Sequence, residues 1–381
     1  MPVRIALLTN FIPPYLVSLY QELERRCVEL RIFLSAKSET GRLWPLDWAD
    51  LPVRLQRSLS LPRKWKHPHN FQERVPVHIP YDTIPQLVNF RPDVMLSREM
   101  GMRTLQAAIY RRCVPESRLI IWATISEVSE KGRGRMRRWL RRRLFRAADA
   151  VIVSGESGAR YVQQFGVDSC RTFHVPFTTN MQPFLDTPHE REPARRHRLI
   201  FSGMLVPRKG LLPFLDVLAR WASEHRHRFV DFDIAGEGPL RSAIEAYSCP
   251  RNLKVRLLGH IQYEDLPKVY RRAGILVFPT LADDWGLVVT EAMAAALPVL
   301  GSSYSQAVEE LVKDGANGWI FRPDQTTDMA GALERALSAS LEQLNNMGSN
   351  ARETVRELTP AAVADRVMAA VAFAKTSGSS Q

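Results

Sequence analysis

The chain has 381 residues, of which 45% are hydrophobic and 24% are charged, so it is long enough to bury a sizeable core and to form two domains. Lys and Arg total 52 against 40 Asp and Glu, and the net charge of +12 indicates an anionic partner such as phosphate, nucleic acid or a lipid headgroup surface. The four cysteines are scattered without Cys-x-x-Cys spacing, which argues against a disulfide framework or a zinc site and favours a reduced, cytosolic chain.

The chain begins with MPVRIALLTNF, a short apolar run followed by Pro13 and Pro14, which we interpret as a buried strand rather than a signal peptide. Short β-branched runs then alternate with amphipathic helical segments, as expected of parallel strands joined by crossover helices. No apolar stretch reaches the ~18 residues of a membrane span, so any membrane contact is expected to be peripheral. The strand candidates are VRIALLT, VELRIFL, DVMLS, RLIIWAT and DAVIVS in the first half, and RLIFSG, VDFDIAG, KVRLLG, ILVFPT and PVLGS in the second.

This alternation predicts an α/β fold with two Rossmann-like, doubly wound domains that face a cleft. We expect an N-terminal domain over residues 1–186, a polar linker with the sequence TPHEREPARRHR over 187–198, and a C-terminal domain over 199–357. A last helix over 358–375 follows the second predicted sheet and is expected to pack back on the N-terminal domain.

Two glycine-rich stretches follow strands of the second half. In FSGMLVPRKG, glycines at a strand-to-helix turn would let backbone amides approach a phosphate, while Arg208 and Lys209 add positive charge beside a helix start. A solvated basic turn fits the same stretch equally well. The Gly-x-Gly of IAGEGPL, formed by Gly236 and Gly238, is a weak indication on its own because such pairs often form only a tight turn.

The segment LADDWGLVVTEAMAAALPVL predicts a short loop and then a helix that begins near Gly286. The amides of Gly286 and Leu287 would offer the positive end of the helix dipole to an anion. Glu291, surrounded by apolar residues, would need a partner if it were buried, and a pair of ribose hydroxyls is one. Alternatively, Asp283 or Asp284 caps the helix and Glu291 points to water.

Five motifs in this order resemble the nucleotide-sugar half of retaining glycosyltransferase family 4, a group with the GT-B fold. They are GMLVPRKG, AGEGPL, LLGHI with EDLPKVYRRAGILVFPT, DDWGLVVTEAMAAALPVL, and EELVKDGANGWIF. The N-terminal half resembles the family less, because acceptor domains in this group vary widely. The resemblance implies transfer of a hexose from a UDP- or GDP-sugar to a glycan or lipid-linked acceptor in polysaccharide or glycolipid synthesis. It also implies retention at the anomeric carbon, with no metal and no cofactor.

The resemblance also implies roles for particular residues. Lys209, with help from Arg208, would hold the diphosphate. Asp283 would contact sugar hydroxyls, and Glu291 would contact the ribose. The other donor-side residues that it implies are Gly203, Gly236, Gly238, His260, Asp284, Gly286 and Leu287.

Three positions depart from the family pattern. Asp283 stands where the family has Glu, one methylene longer, so sugar contacts are expected to shift or to pass to Asp284. Met204 stands where an Arg is common, which removes one phosphate ligand. The Gly-Gly loop often found after the first strand is replaced by TNFIPPY, in which we interpret four residues as acceptor-side lining: Asn10, Pro13, Pro14 and Tyr15.

Retaining transfer without a covalent intermediate can proceed by attack on the face that the diphosphate leaves. The leaving phosphate then serves as the base, and cations and amides stabilise its charge. A His that many relatives place near the sugar has no clear match in WATISEVSE. The candidate stand-ins at the carboxyl end of that strand are Thr124, Ser126 and Glu127.

The stretch KGRGRMRRWLRRRLFR, residues 131–146, holds nine cations and no acid. In a helix, Met136, Leu140 and Leu144 would form one stripe with Trp139 beside it, as expected of a helix lying on anionic lipid. The alternative is that the stripe packs on the domain core and the arginines only face solvent. We expect a cytoplasmic protein, peripheral at the inner face of the membrane. We expect no nucleic-acid partner, because no binding module for nucleic acid is visible.

Two other functions remain open on the sequence. A metal-dependent transferase would use Asp231 and Asp233 of VDFDIAG, although both alternate with apolar residues inside a strand. A basic, non-catalytic binding protein of the same fold would have lost its activity through Met204 and Asp283.

Overall fold

The computed structural model describes residues 3–38, 48, 50–69, 71–186 and 196–376. They form two compact units. Unit 1 takes its described residues from Met1–Pro68, Gln72–Asn180 and Leu358–Gln381, and unit 2 from His69–Phe71 and Met181–Glu357. Residues 187–195 of the predicted linker lie outside the described residues, and Arg198 is already the first residue of a strand.

The described residues of unit 1 form nine strands: β1 (Arg4–Thr9), β2 (Glu29–Leu34), β3 (Val53–Leu55), β4 (Ser58–Lys66), β5 (Gln72–Pro80), β6 (Val94–Arg98), β7 (Arg118–Ala123), β8 (Ala150–Val153) and β9 (Thr172–His174). Seven of them form a parallel sheet in the order β3-β2-β1-β6-β7-β8-β9, and β4 pairs with β5 in an antiparallel hairpin. Along β1, Ile5 and Leu7 belong to one core cluster, whereas Ala6 and Leu8 belong to another. Both faces of the sheet are therefore buried, which explains why the strand sequences are continuously apolar.

The helices of the first part of the chain are α1 (Pro14–Arg26), α2 (Thr83–Phe90), α3 (Met102–Cys113), α4 (Arg135–Ala147) and α5 (Glu156–Gln163). Those of unit 2 are α6 (Gln182–Leu185), α7 (Leu211–Glu224), α8 (Arg241–Glu245), α9 (Leu266–Arg271), α10 (Leu287–Ala294), α11 (Gln306–Leu311), α12 (Thr326–Ser338) and α13 (Leu341–Val355). The chain then forms α14 (Pro360–Thr376).

Unit 2 contains a second parallel sheet. Its strands are β10 (Arg198–Ser202), β11 (Val230–Ala235), β12 (Leu253–Gly259), β13 (Ile275–Phe278), β14 (Val299–Ser302) and β15 (Gly318–Phe321). The order is β12-β11-β10-β13-β14-β15. The predicted α/β fold with two doubly wound sheets is confirmed.

The last helix, α14, packs on unit 1, against α1 and the strands from β6 to β9. Its buried face includes Val363, Val367 and Val371, which share a core cluster with residues of α1 and β1. Lys375 at its end lies 3.0 Å from a carboxylate oxygen of Asp93.

Candidate active site

The strand order of unit 2 reverses between β10 and β13, which are neighbours in the sheet although two strands separate them in sequence. Ligands of doubly wound sheets bind at such a reversal, outside the carboxyl ends of the strands. The loop after β10 carries GMLVPRKG, and the loop after β13 carries PTLADDWG. Both predicted motifs therefore lie at this edge of the sheet.

The loop after β10 ends in a 3-10 turn, Pro207–Lys209, and passes through Gly210 into α7. Gly210 has a φ of +68°, and a Cβ atom on it would lie 2.0 Å from the carbonyl oxygen of Pro279. The amide of Leu281 donates to the carbonyl oxygen of Arg208 at 2.8 Å. Only glycine fits at position 210, because any side chain there would collide with the loop after β13. The close packing of the two loops places Arg208 and Lys209 beside that loop.

A second glycine-rich loop, AGEGPL after β11, packs backbone to backbone on the loop after β10. A Cβ atom on Gly236 would lie 1.8 Å from the carbonyl oxygen of Gly203, and one on Gly238 would lie 2.5 Å from that of Leu205. The amide of Leu205 donates to the carbonyl oxygen of Glu237 at 2.9 Å. Contact between the two loops thus explains why positions 236 and 238 are glycine. A nucleotide contact by Gly203, Gly236 or Gly238 stays a prediction.

Asp283 lies beside two cations of the neighbouring loop. Lys209 Nζ donates to Asp283 Oδ2, and Arg208 Nη1 lies 3.4 Å from the same oxygen. Arg208 also donates to the carbonyl oxygen of Ala282 at 2.9 Å, and Lys209 Nζ lies 4.9 Å from the centroid of the Phe278 ring. Burial by itself raises the pKa of Asp283, but the charges of Lys209 and Arg208 outweigh it and hold that pKa below its ordinary value. The cluster therefore presents an ionised carboxylate and two cations at the strand reversal.

Helix α10 begins directly after this cluster. Gly286 occupies its N-cap position with a φ of +100°, and a Cβ atom there would lie 2.6 Å from Cε1 of Phe278. The alternative that placed Asp283 or Asp284 at the N-cap is therefore wrong. The amides of Gly286 and Leu287 lie at the positive end of the helix dipole, next to the cations of the RKG turn.

Glu291 lies in the second turn of α10 and is only 3% exposed. The hydroxyl of Tyr270 on α9 donates to Glu291 Oε2 at 3.3 Å, and Tyr263 also forms a hydrogen bond with this carboxyl. Burial raises the pKa of Glu291 to about 7, against the lowering effect of these two hydrogen bonds. The alternative in which Glu291 points to water is wrong, and the ribose contact stays a prediction. The two tyrosines were missed, although both belong to or adjoin the EDLPKVYRRAG motif.

Asp231 and Asp233, the alternative metal ligands, form ion pairs with arginines of neighbouring strands. Arg256 Nε donates to Asp233 Oδ1 at 2.6 Å, and its Nη2 lies 3.3 Å from Asp231 Oδ2. Arg198 Nη2 lies 3.4 Å from the same oxygen of Asp231. Within the part of the chain that the structure describes, no group of three or more His, Cys, Asp or Glu residues could hold a metal ion. His260, predicted on the donor side, is an exposed residue just after β12.

The predicted acceptor-side residues follow β1 at the carboxyl edge of the sheet of unit 1. Pro13 is the N-cap residue of α1 and Pro14 is its first residue. Asn10 Oδ1 accepts a hydrogen bond from Arg103 Nη2 at 3.1 Å, and Tyr15 is half-buried in the first turn of α1. The geometry places these residues at the edge where ligands of such sheets bind, and their contact with an acceptor stays a prediction.

The candidate stand-ins Thr124, Ser126 and Glu127 follow β7 in the same unit. Arg98 Nη2 donates to Thr124 Oγ1 at 3.4 Å. Ser126 is 2% exposed and its hydroxyl closes a local turn, while Glu127 pairs with Arg160 at 2.8 Å. The side chains of Ser126 and Glu127 are thus engaged by Ser129 and Arg160 of unit 1. Thr124 instead lies beside the buried Arg98. Sequence analysis missed Arg98, although a lone Arg at the end of the apolar run VMLS was a visible signal.

The basic helix α4 does not present one continuous apolar stripe. Met136 and Trp139 are 80% and 57% exposed, whereas Leu144 is buried in a core cluster of unit 1. Arg141 is also buried and pairs with Glu130. The prediction of a single lipid-facing stripe is therefore wrong for its second half. Among the described residues, no helix is both long and apolar enough to cross a bilayer.

Two family models match most of the described chain. Residues 186–354 match the model for "Glycosyl transferases group 1", and residues 12–178 match that for a "Glycosyl transferase 4-like domain". The chain belongs to the group 1 glycosyltransferases. The family predicted from the five motifs is therefore confirmed.

This group 1 protein is 32% identical over 143 residues to an uncharacterized glycosyltransferase of Methanocaldococcus jannaschii, a match covering 37% of this chain and 35% of the relative. It is 26% identical over 201 residues to a Campylobacter jejuni enzyme, covering 53% of this chain and 54% of the relative. That enzyme is the GalNAc-alpha-(1->4)-GalNAc-alpha-(1->3)-diNAcBac-PP-undecaprenol alpha-1,4-N-acetyl-D-galactosaminyltransferase. The matches thus span between 35% and 54% of these two curated relatives.

Among solved structures, the protein is similar to Anabaena HepE in complex with UDP, with a TM-score of 0.73 and 15% identity. The match covers 97% of this chain and 99% of the HepE chain. At this level of identity the likeness shows the fold, and this fold is GT-B.

Proposed function

We propose that the protein is a retaining, metal-independent glycosyltransferase that moves a hexose from a UDP- or GDP-sugar to a glycan or lipid-linked acceptor, in the synthesis of a cell-surface polysaccharide or glycolipid. The observation that carries the proposal is the cluster of Lys209, Arg208 and Asp283 beside the start of α10, at the strand reversal of unit 2. The UDP bound in the Anabaena structure supports the donor class, and the undecaprenol-linked acceptor named for the Campylobacter relative supports the acceptor class.

In this proposal the diphosphate of the donor binds to Lys209 and Arg208 and to the amides of Gly286 and Leu287. The side chain of Lys209 is only 14% exposed, so its charge acts in a medium less polar than water and attracts an anion more strongly. Asp283, ionised because its pKa is lowered, accepts hydrogen bonds from sugar hydroxyls. Its bond to Lys209 keeps the ammonium group beside α10 before the donor arrives.

Glu291 is assigned to the ribose in this proposal. The ribose hydroxyls would replace one or both of the hydrogen bonds that Tyr270 and Tyr263 now make with this carboxyl. A carboxylate accepts from two hydroxyls at once, whereas a protonated carboxyl uses one oxygen as a donor. Donor affinity is therefore expected to rise as Glu291 ionises.

In the reaction, the bond between the anomeric carbon and the diphosphate oxygen breaks while the acceptor oxygen bonds to the same face of the sugar. The phosphate oxygen that leaves takes the proton of the acceptor hydroxyl. Lys209 and Arg208 stabilise the charge that develops on the diphosphate, as do the amides at the start of α10. The protein supplies these positive groups itself, which is our reason for proposing metal independence.

The first test is a thermal-shift screen with UDP, GDP, ADP and dTDP. A ligand at 100 times its Kd stabilises the folded state by about 2.7 kcal/mol, which is readily measured. If none of the four raises the melting temperature, the assignment of the donor site is wrong.

The second test measures hydrolysis or transfer from the donor that binds. Activity is expected in EDTA and is expected to be lost in Lys209→Ala and Glu291→Ala, with melting temperatures that show folded protein. Activity that EDTA abolishes and Mg²⁺ or Mn²⁺ restores would favour the alternative with Asp231 and Asp233. Nucleotide binding without turnover of any donor would favour a non-catalytic binding protein.

We also propose that the protein acts at the inner face of an anionic membrane, through residues 131–146. Met136 and Trp139 project into solvent from α4, and Arg143 stacks on the Trp139 ring at 4.8 Å. Exposed apolar groups flanked by arginines are typical of helices that lie on anionic lipid.

The hairpin of β4 and β5 also carries exposed apolar side chains. Leu59 and Leu61 on β4 are 62% and 55% exposed, although both are large apolar side chains. The guanidinium carbon of Arg133 lies 3.4 Å from the ring centroid of Trp65, which joins the hairpin to the basic segment. Two separate elements of unit 1 thus contribute exposed apolar and basic residues to the proposed membrane surface.

A further inference from the structure

Two buried arginines lie at the carboxyl edge of the sheet of unit 1. Arg98 ends β6 and is 5% exposed, and Arg103 lies in the first turn of α3 and is 3% exposed. Arg98 Nη1 donates to the hydroxyl of Tyr20 at 2.7 Å, and its Nη2 donates to Thr124 Oγ1 at 3.4 Å. Its guanidinium carbon also lies 5.1 Å from the ring centroid of Trp122.

The two arginines differ in how their charges are balanced. Arg103 Nη2 donates to Glu99 Oε2 at 2.8 Å, and it also donates to Asn10. Within the residues that the structure describes, no carboxylate forms an ion pair with Arg98, whose neighbours are two hydroxyls and aromatic rings. The Nε atoms of both arginines are buried without a hydrogen-bond partner. Glu99 alone therefore faces two buried cations, and a buried unpaired charge is unfavourable.

The position of Arg98 in the fold indicates that its charge serves to bind a ligand. The strand order of unit 1 reverses between β1 and β6, and Arg98 is the last residue of β6. Thr124, Asn10 and Tyr15 lie near the ends of the adjacent strands and are all partly exposed. Because Thr124 Oγ1 accepts from Arg98, its own hydroxyl hydrogen can donate to a ligand. Arg98 thus lies one layer below solvent at the reversal where doubly wound sheets bind ligands.

We propose that Arg98 and Thr124 bind a phosphate group carried by the acceptor. A guanidinium matches the oxygens of a phosphate, and such charge-assisted hydrogen bonds are stronger in a buried site. The hydroxyl of Thr124 adds a donor of a different direction, which suits a tetrahedral anion better than a planar carboxylate. The phosphate would supply the negative charge that Arg98 lacks. The identification of the phosphate as part of an acceptor rests on the proposed function. The phosphate site itself lies in unit 1 and can be tested separately.

The test is calorimetric titration of the full chain saturated with UDP, so that inorganic phosphate cannot occupy the donor site. The wild type is expected to bind inorganic phosphate. Arg98→Gln is expected to weaken that binding by about tenfold or more, since it removes a charge-assisted hydrogen bond. Thr124→Val is expected to weaken it less, and Arg25→Gln, which changes an exposed arginine of the same unit, is expected to leave it unchanged. Absence of phosphate binding in the wild type, or equal binding in Arg98→Gln, would overturn the proposal.

Melting temperatures separate a ligand site from a structural arginine. A ligand site predicts that Arg98→Lys, which keeps a positive charge near Tyr20 and Glu99, stays close to the wild type in melting temperature but binds phosphate more weakly. A purely structural Arg98 predicts that the melting temperature and phosphate binding fall together in Arg98→Gln and are restored together in Arg98→Lys, and that result would refute our assignment. Thr124→Val, which keeps Arg98, provides the second variant if Arg98→Gln does not fold.

Further titrations identify the source of the phosphate. Farnesyl phosphate binding tighter than farnesol and than glucose 6-phosphate would indicate a lipid-linked acceptor. Glucose 6-phosphate binding tighter than glucose and than farnesyl phosphate would indicate a sugar phosphate. Binding of glucuronate without binding of phosphate would overturn the choice of phosphate. Arg98-dependent phosphate binding in a protein that binds no nucleotide would keep the phosphate site and remove the proposed transferase function.

Discussion

Burial of Glu291 should make the stability of the protein depend on pH in a defined direction. The pKa of this carboxyl is raised from 4.5 to about 7 in the folded protein. Between these two values the folded state holds a proton that the unfolded state has lost, so the free energy of unfolding falls as pH rises. The stabilising effect of the proton is complete below pH 4.5 and is lost as pH rises through 7. With about 1.4 kcal/mol for each unit of pKa, the total loss is about 3 kcal/mol.

The variant that tests this value is Glu291→Gln, which keeps the size of the side chain and an acceptor for Tyr270 but cannot ionise. Urea unfolding at intervals from pH 5 to pH 8 should show the variant gaining stability relative to the wild type, by most of that amount, with a plateau above pH 7. Glu357→Gln, which changes an exposed carboxyl of the same chain, is the matched control and should show no such gain. A constant difference between Glu291→Gln and the wild type across this range would refute the reasoning.

Three further predictions address the donor loop, its glycine turn and the membrane surface. Lys209→Ala should weaken UDP binding by about tenfold or more, measured by calorimetry, and unchanged affinity would contradict a diphosphate contact. Gly210→Ala should lower stability by more than about 2 kcal/mol in urea unfolding, since its Cβ would overlap the oxygen of Pro279. Gly331→Ala, at an open position in α12, is its control and should be neutral or stabilising. Trp139→Ser should reduce cosedimentation with phosphatidylglycerol vesicles at an unchanged melting temperature, and equal binding by both proteins would rule out a lipid contact by α4.

The sequence predicts most of the fold because the strands of both central sheets are buried on two faces. Such strands are continuous apolar runs, as in IALLT and ILVF. A run of this kind between two loops can be recognised from a few neighbouring residues, without knowledge of the rest of the fold. Four of the strands that were missed, β3, β4, β5 and β9, lack such a run, whereas β15 has the apolar sequence GWIF and was quoted only within the motif EELVKDGANGWIF. All nine residues of β4 are half-buried or exposed and basic residues lie among them, so β4 does not have the continuous apolar sequence of a buried strand. Strands β3 and β9 have only three residues each.

The candidate site is less predictable because its critical contacts join residues distant in sequence. The RKG motif and Asp283 were found separately, but their ion pair depends on how the loops after β10 and β13 pack together. Gly236 and Gly238 were assigned to a ligand, yet the backbone of the neighbouring loop already leaves no room for a Cβ atom. A bound ligand and a neighbouring loop can each leave no room for a Cβ atom, so the sequence alone does not show which of the two requires a glycine. The same holds for Glu291, whose hydrogen-bond partners come from α9 and the turn before it.

The basic helix α4 shows where a periodic pattern fails and which of its residues remain free to contact a membrane. Residues spaced by four advance by about 40° around a helix, so Met136 and Leu144, eight apart, differ by about 80°. An apolar face of this width is ordinary for an amphipathic helix, so the spacing alone does not divide the stripe; the burial of Leu144 in the core does. The buried end joins the core of unit 1, which fixes the orientation of the helix, and the exposed end with Trp139 is left for lipid. Because the core holds Leu144, the membrane contact that we propose would use the first half of α4 together with Leu59 and Leu61 of the hairpin. Substitutions at those positions should then reduce vesicle binding without destabilising the fold.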